Sequence, residues 1–109
     1  MDTQAHIKQL IDSHAVLLFM KGTKFRPMCG FSMRTSNVLA HIGVAYETVN
    51  ILDDDELRAG LKEYSNWPTF PQLYVDGQLV GGSDIVMEMY ENGGLAKMLE
   101  NHPKDAGTN

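Results

Sequence analysis

Leu73-Tyr74-Val75-Asp76-Gly77-Gln78-Leu79-Val80 places two short apolar runs on either side of an Asp-Gly pair. A two-residue turn between twisted strands needs positive φ at both central positions, and Asp-Gly adopts it at low cost. The stretch therefore predicts an antiparallel β-hairpin. Upstream, Ala15-Val16-Leu17-Leu18-Phe19-Met20 is apolar without alternation and stops at Lys21-Gly22. That pattern belongs to a strand buried on both faces of a sheet, so helices are required on both sides.

The remaining chain supplies them. Ile7, Leu10 and Ile11 recur at helical spacing behind Thr3, the expected cap, and the stretch ends near Ser13. Phe31, Val38, Leu39 and Ile42 predict a helix closed by Gly43, with Cys29 at its start. Ala45-Tyr46-Glu47-Thr48-Val49-Asn50 alternates as a strand, and Asp53-Asp54-Asp55-Glu56 puts negative charge on the first turn of a helix running to Tyr64. Gly81-Gly82 breaks the second hairpin strand; Ser83 or Asp84 can cap a helix carrying Ile85, Val86, Met89 and Tyr90, and a last short helix is expected after Gly93-Gly94. A βαβ crossover, a hairpin and a closing helix make an α/β domain over residues 1–100, with a four-stranded mixed sheet flanked by helices, the arrangement of the thioredoxin fold. Residues 101–109 show no periodicity and read as a flexible tail.

With 109 residues and 43% hydrophobic content, the chain has material for one core. Its 9 Lys and Arg against 14 Asp and Glu leave a formal charge of −5, which argues against nucleic acid as a partner because phosphate neutralisation dominates that affinity. The N-terminus has neither the basic start nor the apolar run of a signal peptide, and the longest apolar stretch is far too short to span a membrane; a soluble, cytoplasmic protein is expected.

A single cysteine, Cys29, excludes an internal disulfide, so any redox cycle needs a thiol from elsewhere. One reading makes Cys29 a small buried hydrophobe. The other makes it a thiolate, favoured by the helix N-terminus and by Lys21, Lys24 and Arg26 just upstream. His6, His14, His41 and His102 have no metal-ligand spacing, and the seven methionines read as packing.

Cys29-Gly30-Phe31-Ser32, preceded by Met20-Lys21-Gly22-Thr23 and followed by Asn66-Trp67-Pro68-Thr69-Phe70-Pro71-Gln72 and Gly81-Gly82-Ser83-Asp84-Ile85, resembles the monothiol glutaredoxin family of the Cys-Gly-Phe-Ser type. Three motifs in order at successive strand ends carry this resemblance, which spans roughly residues 7–99. Dithiol relatives have a second cysteine where Ser32 stands. Many family members also have one in the segment matching Gly82-Ser83-Asp84, where this chain has Ser83.

The resemblance implies a glutathione site. Lys21 and Arg58 would meet the glycine carboxylate, although Arg58 alone also reads as part of a solvated helix face. Phe70, before a proline that is cis in thioredoxin folds, would pair through its main chain with an extended peptide while still serving as a core aromatic. Trp67 and Pro68 would shape the loop. Gly82 and Ser83 would receive the γ-glutamyl carboxylate at a helix start and Asp84 its amine; Ser83 and Asp84 are also simply good caps.

The family resemblance further implies a [2Fe–2S] cluster. Such a cluster typically takes four thiolates; one chain offers one, two chains offer two, and two glutathione molecules bridging a homodimer supply the rest. Cys29 is then the metal ligand. Iron–sulfur acceptor proteins and BolA-type proteins are the partners this implies. The alternative is a glutathione-dependent thiol–disulfide oxidoreductase using Cys29 as nucleophile, disfavoured by the family's longer loop before the cysteine, residues 23–28 here, and its usually low activity of that kind. A thioredoxin-fold adaptor without cofactor is a third reading.

Overall fold

The computed structural model describes residues 2–105. Its order is α1 (Thr3–Ser13), β1 (Val16–Met20), α2 (Gly30–Ile42), β2 (Glu47–Asn50), a 3-10 turn (Ile51–Asp53), α3 (Asp55–Ser65), β3 (Gln72–Val75), β4 (Gln78–Gly81), α4 (Ser83–Glu91) and α5 (Gly94–Leu99). The sheet runs β2-β1-β3-β4, with β1 parallel to β2 and the other neighbours antiparallel. This is the four-stranded mixed sheet expected from the sequence. β1 lies second in the order and is buried along its whole length, which is why it shows no polar alternation.

Alternate side chains of β1 feed two cores. Val16, Leu18 and Met20 pack with Val38 and Leu39 of α2, Val86 of α4, and Leu95 and Leu99 of α5. Leu17 and Phe19 pack with Ile7 and Ile11 of α1 and Leu57 and Leu61 of α3. Phe19 meets Tyr74 edge to face, ring centroids 5.6 Å apart. The hairpin turn forms as anticipated, Asp76 and Gly77 holding φ of 52° and 83°, and Gly43 ends α2 in the left-handed region at φ 85°.

Several boundaries differ from expectation. Asp2, not Thr3, caps α1, accepting the Ala5 N–H at 2.8 Å. The acidic run begins its helix later than predicted: Asp53 ends the 3-10 turn and Asp54 is the cap, accepting the Leu57 N–H at 3.0 Å. Gly82 is the N-cap of α4, without side-chain help, so Ser83 and Asp84 are its first helical residues and not its caps.

The reading of a flexible tail needs correction for residues 101–105. Ala45 N–H donates to the Pro103 carbonyl (2.9 Å), Asp105 N–H donates to the Gly43 carbonyl (2.8 Å), and Val44 pairs with Lys104. His102 Nε2 lies 3.0 Å from Asp76 Oδ2. This antiparallel bridge engages the backbone around Val44 and Ala45, and β2 is shorter than expected, beginning at Glu47 opposite Leu17 of β1 and not at Ala45. Backbone pairing carries no periodic apolar signal, so the sequence pattern could not announce it. Residues 106–109 lie outside the described residues.

Candidate active site: a cleft around Cys29

The loop from Lys21 to Met28 is a tied structure. Met28 N–H donates to the Lys21 carbonyl at 2.9 Å, and Thr23 and Arg26 exchange backbone hydrogen bonds at 3.2 and 3.1 Å. Gly22 N–H donates to Asn50 Oδ1 at 2.9 Å. The crossing is so close at Gly22, with φ 92°, that an added Cβ would lie 2.5 Å from the Arg26 carbonyl oxygen. Lys24 straps the loop to the approach of β2, its Nζ donating to the Tyr46 carbonyl at 2.7 Å and lying 4.6 Å from the Tyr46 ring centroid.

This loop delivers Cys29 to the N-cap of α2, in extended backbone and partly exposed. Sulfur is a weak acceptor and forms no cap hydrogen bond of strict geometry. The backbone N–H groups of Ser32 and Phe31 nevertheless favour its anion. Ser32 leads, Lys21 adds a smaller electrostatic pull, and the thiol pKa falls below its ordinary value although partial burial opposes the shift. Of the three upstream cations only Lys21 acts on the sulfur; Lys24 is engaged with Tyr46, and Arg26 is exposed. Ser32, wholly buried, accepts the Lys21 N–H at 3.0 Å and so ties the start of α2 to the end of β1.

Cys29 opens onto a cleft of about 610 Å³, a volume suited to a small organic ligand. All seven residues singled out in the sequence border it: Lys21, Cys29, Arg58, Phe70, Gly82, Ser83 and Asp84. Phe70 is only 7% exposed and packs in the core with residues of α1 and α3, as its core reading expects, while bordering the cleft. The Phe70–Pro71 bond is cis. Trp67 and Pro68 form wall, as expected, together with Thr69.

The cleft is short of partners. Arg58 Nε, Trp67 Nε1 and Ser83 Oγ are buried without a hydrogen bond. Buried polar atoms cost free energy unless paired, and these three belong to residues that line one cavity. Gly82 leaves the space open: a Cβ there would come within 3.1 Å of Trp67 Nε1 and 3.3 Å of the Pro71 carbonyl. Among the described residues no carboxylate lies within ion-pair distance of the cleft cations Lys21, Arg58 and Lys62.

Sequence reasoning missed Lys62, and gave no site role to Phe31 and Ile85 although both stand inside the quoted motifs; all three line the cleft. Lys62 sits four residues after Arg58 on α3, a spacing that shares a helix face and could have been read. Among the described residues no three His, Cys, Asp or Glu side chains gather where they could hold a metal ion. No described helix is long and apolar enough to cross a membrane.

The glutaredoxin family profile matches residues 16–80. A monothiol glutaredoxin ycf64-like protein of Synechocystis, itself uncharacterised, is 54% identical over 99 residues, covering 91% of this chain and 92% of its own. Poplar GrxS14, in its reduced apo form, superposes with a TM-score of 0.78 at 49% identity, covering 89% of each chain. Buckwheat glutaredoxin, solved in complex with glutathione, gives 0.80 at 27% identity, covering 90% of this chain and 87% of its own. Together with the one-cysteine cleft on a thioredoxin-fold sheet, these likenesses show that the chain belongs to the glutaredoxin family, on its monothiol branch.

Proposed function

We propose that this chain binds glutathione in the cleft and carries a [2Fe–2S] cluster, as cargo, between two copies of itself. The observation that carries the reading is the pairing of one thiolate-biased cysteine with a cavity whose buried Arg58 Nε, Trp67 Nε1 and Ser83 Oγ are unsatisfied. Glutathione has matching chemistry. Its glycine carboxylate would lie at Lys21 and Arg58, its peptide would pair with the Phe70 main chain, and its γ-glutamyl carboxylate would meet the N-terminus of α4 at Gly82 and Ser83, with the amine at Asp84. The buckwheat relative's complex supports glutathione as the ligand class.

With one cysteine per chain, two chains and two glutathione thiolates make the four ligands a [2Fe–2S] cluster takes. Half the ligands are then small diffusible molecules, which suits release to iron–sulfur acceptor proteins or sharing with a BolA-type partner in the cytoplasm. Anaerobic reconstitution with iron, sulfide and glutathione should give a coloured dimer by visible absorption and sizing, and Cys29→Ser should give a colourless monomer. A cluster retained by that variant overturns the ligand assignment.

The lowered Cys29 pKa also favours a second reading, thiol–disulfide exchange. The thiolate attacks the glutathione sulfur of a mixed disulfide and expels the substrate thiolate; a second glutathione then releases oxidised glutathione and restores Cys29. Rapid reduction of a glutathionylated substrate by a colourless monomer would favour this reading.

A further inference from the structure

Gln72 is a polar residue in the most buried part of the sheet. It opens β3, pairs across to Phe19 of β1, and is wholly inaccessible to solvent. The other β3 residues are Leu73, Tyr74 and Val75, all buried, and an apolar side chain would serve that setting without the desolvation cost of an amide. What the amide does is visible in its partners. Nε2 donates to the Trp67 carbonyl at 3.1 Å and to the Thr69 carbonyl at 3.3 Å, using both hydrogens. Oε1 accepts from the Tyr74 hydroxyl at 3.2 Å. Burial pushes the Tyr74 pKa up to about 12, so that hydroxyl keeps its proton and donates. Ser65 Oγ holds the same loop from the other side, accepting the Trp67 N–H at 3.1 Å.

We infer that Gln72 is the positioning residue of the glutathione cleft: it acts through the Trp67 and Thr69 carbonyls to set the wall formed by residues 67–70. The inference rests on the proposed glutathione reading. Gln72 does not line the cleft and is not among the groups that shift the Cys29 pKa. Its loss should therefore weaken capture of glutathione while leaving the acidity of the thiol alone, a separation that general loosening of the fold would not produce.

The test uses the reduced full-length protein and oxidised glutathione. The Cys29 thiolate displaces one glutathione thiolate and forms the Cys29–glutathione disulfide, whose equilibrium constant is read by intact-mass spectrometry. Gln72→Leu should lower that constant about tenfold, the net worth of roughly one hydrogen bond to the ligand lost as the wall shifts. Emission of Trp67, the chain's one tryptophan, should shift, and the pH midpoint of Cys29 alkylation should stay at the wild-type value. Tyr74→Phe, which removes one anchor and keeps Gln72, should produce a smaller fall and decides the matter if Gln72→Leu does not fold. An unchanged equilibrium constant in folded Gln72→Leu, or in Tyr74→Phe where only that variant folds, overturns the inference and leaves the glutathione reading standing. A fall matched by a shifted alkylation midpoint also overturns it. Absence of the mixed disulfide in the wild type removes both.

Discussion

Cys29 gets its acidity from backbone geometry more than from neighbouring charge. Since its folded pKa lies below the ordinary thiol value of 9.0, the pH profile of iodoacetamide alkylation should have its midpoint below that of the unfolded chain. Lys21→Ala should raise the midpoint only slightly, because the N–H groups of Ser32 and Phe31 remain; a large rise would make the lysine the main cause. Linkage has a definite sign here. The thiolate's contribution to stability is complete above the unfolded pKa and is lost as pH falls through the lower, folded one. The motif residues of this site were legible through the family resemblance, whereas their own spacing reads Arg58 as part of a solvated helix face and Ser83 and Asp84 as caps. The roles of Lys24 and Gln72 were not: one turned to a backbone carbonyl and ring across the loop, and the other works from inside a strand.

At the level of elements, the tied loop of residues 21–28 and the Gly82 cap determine the shape of the cleft. Gly22→Ala forces a side chain into φ 92° and against the Arg26 carbonyl and the Met28 amide at 2.5 and 2.7 Å. Thermal melting should show a loss of about 1–3 kcal/mol, with Cys29 alkylation changed as the loop shifts. A variant as stable as the wild type would mean that the loop relaxes without cost. Element types and order followed from periodicity and turn chemistry. Helix starts followed less well, because Asp2, Asp54 and Gly82 compete with adjacent residues of similar capping ability, and tertiary position decides among them.

Taken whole, the molecule is two cores sharing one sheet, closed at its end by a C-terminal segment that the sequence pattern left unassigned. Deleting residues 101–109 removes, among the described residues, three backbone hydrogen bonds to the rest of the domain, Ala45 to Pro103, Asp105 to Gly43 and His102 to Leu99, and the His102–Asp76 contact. The cost should be about 1–2 kcal/mol, and melting should move down by about 4–8 °C per kcal/mol. An unshifted transition would show that these contacts add nothing. The same segment also governs how the sheet meets other molecules. Strand β2 is outermost, and an outermost strand invites pairing with a foreign chain. Because Val44 and Ala45 are already engaged by residues 103 and 104, the strand left open spans only Glu47–Asn50 and begins with a carboxylate. Residues 103–105 thus shorten the run of free backbone that this edge offers to a foreign chain, an expected brake on strand-to-strand association.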